Sequence, residues 1–135
     1  GKGMKGQEGG DSTRVRVPAQ SAHNIPERYR ASIVILDGYA EGMEYPLTKA
    51  HTVIGRDKTA DIPVKDALIS RQHASISFDD GAFILKDMGS TNGTLHNGRL
   101  VEQARLQNRD RVQVGDTTLQ FILEDSGAGK VFEIK

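Results

Sequence analysis

The sequence predicts an all-β domain, and three observations carry that expectation. Short β-branched segments recur along the chain, two period-two apolar alternations fold back on themselves across two-residue turns, and no window of about twelve residues holds a helical apolar period. The first segment, Ser32-Ile33-Val34-Ile35-Leu36, is brief and rich in branched side chains, as in a strand buried on both faces, and Asp37-Gly38 ends it. Further strand-like pieces fall at 44–47, 51–56, 74–78, 82–87, 111–114 and 117–123, a spacing that suits a sandwich. Asp80-Gly81 separates Ala74-x-Ile76-x-Phe78 from Phe83-x-Leu85, which predicts a hairpin. Gly115-Asp116 does the same between Val112-x-Val114 and Leu119-x-Phe121. Asn92-Gly93 and Asn97-Gly98 bracket only Thr94-Leu95-His96, so any strand there is very short, and Asn97-Gly98 reads as a plain hairpin turn. The expected core is Ile33, Ile35, Val53, Ile76, Phe78, Phe83, Leu85, Val112, Val114, Leu119 and Phe121.

Composition sets the limits on function. With 135 residues, 36% of them hydrophobic, the chain supports one domain with tails. Eighteen basic residues balance eighteen acidic ones, which gives no general attraction to nucleic acid or to anionic membrane, so any anion must be recognised locally. There is no cysteine, which rules out disulfides, thiolate zinc sites and cysteine nucleophiles and fits a reducing compartment, the cytoplasm. No apolar run approaches the roughly 20 residues needed to cross a bilayer, and the first ten residues lack the apolar centre of a signal peptide.

Residues 1–30 hold five of the fifteen glycines, with Pro18 and Pro26, and read as a flexible tail or linker; the domain is expected over 31–124. Residues 125–135 read as a second tail or linker, as in a piece of a larger protein, although Lys130-Val131-Phe132-Glu133-Ile134-Lys135 alternates like a strand.

Three clusters fall in the expected loops and strand ends, where sites usually lie. They are Gly55-Arg56, then Ser70-Arg71-Gln72-His73, then Gly89-Ser90-Thr91-Asn92-Gly93-Thr94. In that order, followed by the Asp110 to Asp116 stretch and Leu119-x-Phe121, they resemble the signature of the forkhead-associated (FHA) domain family over about residues 32–123. The resemblance implies an eleven-stranded β-sandwich of the FHA/SMAD-like type. Its loops at one end would hold a phosphothreonine peptide.

By that resemblance, Arg56 and Ser70 contact the phosphate, with Arg71 as an additional contact, and Thr91 adds its hydroxyl or backbone. Asn92 would bond the peptide main chain beside the phosphothreonine. His73 would brace the loop that presents Ser70, while Gly55, Gly89 and Gly93 would give the backbone freedom that side chains forbid. The residue types suit the ligand, because a phosphothreonine brings about −1.5 to −2 charges and three strong acceptor oxygens, which call for guanidinium groups and short donors. Two positions depart from the family's commonest pattern: Met88 stands where leucine is usual, and Arg71 occupies a variable position. The implied partner is a phosphothreonine-containing protein, a Ser/Thr kinase or its substrate. Thr13, on the tail, is a candidate internal ligand once phosphorylated, since tethering supplies up to millimolar effective concentration.

Other readings of the same residues are weaker. Ser70 and His73 have no nucleophile elbow and no orienting acid motif, so no enzyme is expected. His23, His51 and His96 lack metal spacing, and neither a metal nor another cofactor is expected. Asn92-Gly93-Thr94 forms a glycosylation sequon without a secretory context, and Gly127-Ala128-Gly129-Lys130 lacks most of a phosphate-binding loop. The alternative class is a phospho-independent interaction or scaffold domain on the same fold, which would have no need for Arg56, Ser70, Thr91 and Asn92 together.

Overall fold

The computed structural model describes residues 25–126; Thr13 and the alternating segment 130–135 lie outside the described residues. The architecture is all-β, with eleven strands in two sheets. In chain order these are β1 (Tyr29–Asp37), β2 (Glu44–Pro46), β3 (His51–Gly55), β4 (Ile62–Pro63), β5 (Ala74–Asp79) and β6 (Ala82–Asp87). They continue with β7 (Thr94–His96), β8 (Arg99–Val101), β9 (Gln103–Leu106), β10 (Arg111–Val114) and β11 (Thr117–Asp125). One sheet runs β2-β1-β11-β10-β7-β8 and the other β4-β3-β5-β6-β9. Among the described residues no helix is long and apolar enough to cross a membrane.

Turn chemistry sets the hairpins. Asp80 (φ 50°) and Gly81 (φ 82°) join β5 to β6, and Asn97 (φ 49°) and Gly98 (φ 87°) join β7 to β8. Positive φ at both central residues is the turn whose twist matches paired strands. Gly115, with φ 57°, leads the turn between β10 and β11.

The core lies between the two inner faces. Ile33 pairs with Phe121 and Ile35 with Leu119 across β1 and β11, while Ile76 pairs with Leu85 across β5 and β6, and all six are buried. Full burial of each such side chain contributes about 1.5–3 kcal/mol. Tyr29, Phe78, Phe83 and Phe121 form a chain of tilted and edge-on ring contacts, with centroids 5.0–5.4 Å apart along it, between the β1 terminus and the core.

Two expected core residues are placed differently. Val53 is half-buried and turns outward, while its neighbours Thr52 and Ile54 are buried. The adjacent apolar pair Val53-Ile54 carries no period-two signal, so pairing of Thr52 with Ile76 and Ile54 with Ala74 decides which one faces in. Phe78 is only half-buried because it sits near the end of β5, stacked on Tyr29. The short strands β4, β8 and β9 have no apolar alternation to announce them, and β4, β8 and β9 are all at sheet edges.

Candidate functional site

Strand register brings the three sequence clusters to one end of the sandwich. His73 N–H donates to the Ile54 carbonyl and Met88 N–H donates to the His73 carbonyl, each at 2.9 Å. The ends of β3 and β6 therefore flank the start of β5, and the loops that leave them are neighbours. Arg56 follows β3, Ser70 and Arg71 precede β5, and Gly89 to Gly93 follow β6.

The first two loops are clasped through their backbones. Arg56 N–H donates to the Ser70 carbonyl at 3.0 Å and Asp57 N–H to the Arg71 carbonyl at 3.3 Å. Gly55 permits this approach: a Cβ there would lie 2.0 Å from the Arg71 carbonyl oxygen. Its φ is not in the left-handed region, so Gly55 is required for space, which corrects the expectation of backbone freedom. Gly89 (φ 73°) and Gly93 (φ 87°) do adopt left-handed backbone.

The buried His73 ring ties the second loop to the third. Its Nδ1 accepts from Ser70 N–H at 3.1 Å, and its Nε2 donates to the Gly93 carbonyl at 2.7 Å, which defines the neutral tautomer protonated at Nε2. Ser70 Oγ accepts from Thr91 N–H at 3.0 Å, so its own proton remains to be donated outward. Asn92 Nδ2 donates to the Leu68 carbonyl at 2.8 Å. The side chain of Arg56 is steadied by Nε donating to the Ile69 carbonyl at 3.0 Å, which leaves the terminal guanidinium nitrogens pointing elsewhere. Among the described residues neither Arg56 nor Arg71 forms an ion pair with a carboxylate. Arg56, Ser70, Arg71, Thr91 and Asn92 thus share one loop surface, with His73 and Gly55 beneath it.

Two carboxylates that sequence reasoning did not single out hold these loops. Asp87 accepts from the N–H groups of Gly89 and Ser90, each at 3.0 Å, from Ser90 Oγ at 2.5 Å and from Thr94 Oγ1 at 2.7 Å. Ser90 Oγ in turn accepts from Gly93 N–H at 2.9 Å. Burial disfavours the Asp87 charge, but the hydrogen bonds from Ser90, Thr94 and the two N–H groups outweigh it and hold the carboxyl below its usual range. Asp66 accepts from Leu68 N–H at 2.9 Å, from Asp116 N–H at 2.8 Å and from Thr117 Oγ1 at 3.3 Å, which links the Ser70 loop to the β10–β11 turn. Asp66 is likewise opposed by burial and lowered on balance by these bonds. The sequence did contain a signal: an Asp two residues before a loop N–H is an Asx-turn pattern. Asp57 is also lowered, chiefly because the Thr59 backbone N–H bonds to it, with Arg71 and Lys58 adding attraction.

A surface with an anchored arginine, a second free arginine, an outward hydroxyl donor and a side-chain amide can hold a tetrahedral dianion together with an extended backbone. Comparison with known proteins places the fold in a family. The FHA domain model matches residues 52–115, which contain all three clusters. The glycogen accumulation regulator GarA of Mycolicibacterium smegmatis is 36% identical over 102 residues, covering 73% of this chain and 65% of that protein. The chain therefore matches just under two thirds of that regulator's length. The oxoglutarate dehydrogenase inhibitor of Corynebacterium efficiens is 34% identical, over 77% of this chain and 72% of that protein. A solved structure from a structural and functional analysis of phosphothreonine-dependent FHA domain interactions superposes with a TM-score of 0.64 at 28% identity, covering 69% of this chain and 95% of that one. The chain belongs to the FHA domain family.

Proposed function

We propose that this FHA domain is a non-catalytic module that binds phosphothreonine peptides and so mediates phosphorylation-dependent protein–protein interaction in Ser/Thr kinase signalling. The observation that carries the reading is the convergence of Arg56, Ser70, Arg71 and Thr91 on one surface where neither arginine forms an ion pair with a carboxylate among the described residues. Arg56 and Ser70 take the phosphate, Arg71 and Thr91 add to it, and Asn92 holds the peptide main chain. The related structure's phosphothreonine-dependent interactions support the assignment.

A hydrolytic role for Ser70 and His73 is disfavoured by geometry. Both ring nitrogens of His73 are engaged, one by Ser70 N–H and one by the Gly93 carbonyl, so neither is free to take a proton from Ser70 Oγ. The module, expected over residues 31–124, is assigned to 29–125, because the paired ends of β1 and β11 reach Tyr29 and Asp125, and to the cytoplasm, where a cysteine-free chain and a kinase substrate are both at home. The partner is a phosphorylated Ser/Thr kinase or its substrate, and phosphorylated Thr13 of the same chain is a competing internal ligand.

Calorimetry with one peptide in phosphorylated and unphosphorylated form tests the central claim. Binding only to the phosphorylated form is expected, with Arg56→Ala losing about 2 kcal/mol or more, as for a charge-assisted pair left unmatched. Equal affinity for both forms would refute it and favour the phospho-independent scaffold. Unchanged affinity for an external phosphopeptide after phosphorylation of Thr13 would remove the internal ligand.

A further inference from the structure

The chain carries two Asn-Gly dipeptides among the described residues, Asn92-Gly93 in the candidate site and Asn97-Gly98 at the tip of the β7–β8 hairpin. Asn-Gly is the pair most prone to spontaneous deamidation, because glycine leaves its amide nitrogen unshielded. In that reaction the glycine nitrogen loses its proton and bonds to the asparagine Cγ, the Cγ–Nδ2 bond breaks, and ammonia departs with the proton. Water then opens the resulting imide to aspartate or isoaspartate.

Both reacting groups of Asn92-Gly93 are held. Gly93 N–H donates to Ser90 Oγ at 2.9 Å, and that hydroxyl is itself committed as a donor to Asp87 Oδ1 at 2.5 Å. The Asn92 amide is tied through Nδ2 to the Leu68 carbonyl at 2.8 Å, so its leaving nitrogen is anchored to a different loop. Closing the imide means giving up both bonds. At the hairpin the asparagine amide is held as well, Oδ1 accepting from Arg111 N–H at 2.8 Å and Nδ2 lying 3.5 Å from His96 Nε2, but the nucleophile is not: Gly98 N–H meets no acceptor among the described residues.

We propose that the Asp87–Ser90–Gly93 hydrogen-bond chain protects Asn92 from deamidation, and that Asn97 is the position where the folded domain is chemically modified. The residue assigned to hold the ligand's main chain is thereby kept an amide, whereas conversion to a carboxylate would set a negative charge beside a phosphorylated ligand. The chemical claim stands apart from the binding assignment, since it concerns mass change and not affinity.

The test is incubation of the full chain at mildly alkaline pH, followed by peptide mass spectrometry that resolves the two sites. In the intact protein, Asn97 is expected to gain one mass unit faster than Asn92. In Ser90→Ala, Asn92 should deamidate several-fold faster while Asn97 keeps its rate, which makes Asn97 an internal gauge of folding. An unchanged rate at Asn92 in the variant, faster conversion of Asn92 than Asn97 in the intact protein, or an equal rise at both sites would each overturn the proposal. Binding of a phosphothreonine peptide by the aged samples is read separately, so a failed binding assignment leaves the mass result intact.

Discussion

The carbonyl oxygen of Arg71 occupies the space that a side chain at Gly55 would need: a Cβ on Gly55 would lie 2.0 Å from it. No rotamer relieves the clash, because the obstructing atom is backbone. Gly55→Ala must therefore push the Arg71 loop away and strain the paired bonds from Arg56 N–H to Ser70 and from Asp57 N–H to Arg71. The expected cost is about 3 kcal/mol in a urea unfolding experiment, at the upper end for an overpacked site, with weakened phosphopeptide binding in the surviving folded protein. A variant as stable as the parent would show that this close approach is not maintained in solution.

His73 is predicted to matter for stability although the proposed ligand contacts lie elsewhere. Replacing it with alanine leaves Ser70 N–H and the Gly93 carbonyl without their partner and opens a cavity under both loops. A loss of about 3 kcal/mol is expected from the unmatched groups and the missing volume. Phosphopeptide affinity should fall with it, because the Ser70 loop loses its brace. Unaltered urea midpoint and affinity in His73→Ala would contradict the bracing role.

Stability should depend on pH through Asp87 and Asp66. Both carboxyls are held below their unfolded-state pKa, so the stabilising contribution is present above about pH 4 and is lost as pH falls through the lower folded value. Urea midpoints should hold level from neutrality to about pH 5 and drop below about pH 4. Asp87→Asn is expected to start lower at neutral pH, since an amide cannot accept all four donors, and then to show a shallower acid decline. Parallel acid limbs for the two proteins would remove Asp87 from this account.

The two arginines should differ. Both side chains are exposed, but Arg56 is ordered by its bond to the Ile69 carbonyl, whereas Arg71 makes no side-chain hydrogen bond among the described residues. Removing Arg71 should cost about 1 kcal/mol or less of phosphopeptide affinity, and added salt should erase most of it, as for an exposed charge pair. Isothermal titration of Arg56→Ala and Arg71→Ala at low and high salt distinguishes them, and equal losses at both salts would be the wrong outcome.

Phosphothreonine should be preferred over phosphoserine by more than about fourfold. One buried methyl contributes about 0.8 kcal/mol by transfer alone, and the branched threonine loses less rotamer freedom on binding. Two peptides that differ only in that methyl measure the ratio. A value near one would mean that the domain senses charge without shape.

Local patterns sufficed for part of this structure. The hairpins at Asp80-Gly81 and Gly115-Asp116 were legible because period-two apolar runs flank turn residues that accept positive φ, and both the pattern and the turn are short-range properties. The order of the Arg56, Ser70 and Asn92 clusters was legible too, and it carried the family resemblance. Tertiary structure decided what depends on pairing between distant strands. The choice of Ile54 over Val53 for the core rests on register with β5, which two adjacent apolar residues cannot express. The edge strands β4, β8 and β9 have few apolar residues to bury, so they left no periodic trace. The work of Asp87 and Asp66 was hidden because a carboxylate's value lies in the number of donors that converge on it. Asp87 draws its donors from within seven positions, but Asp66 also accepts from Asp116 and Thr117, 50 and 51 positions away, which only the folded chain brings within reach.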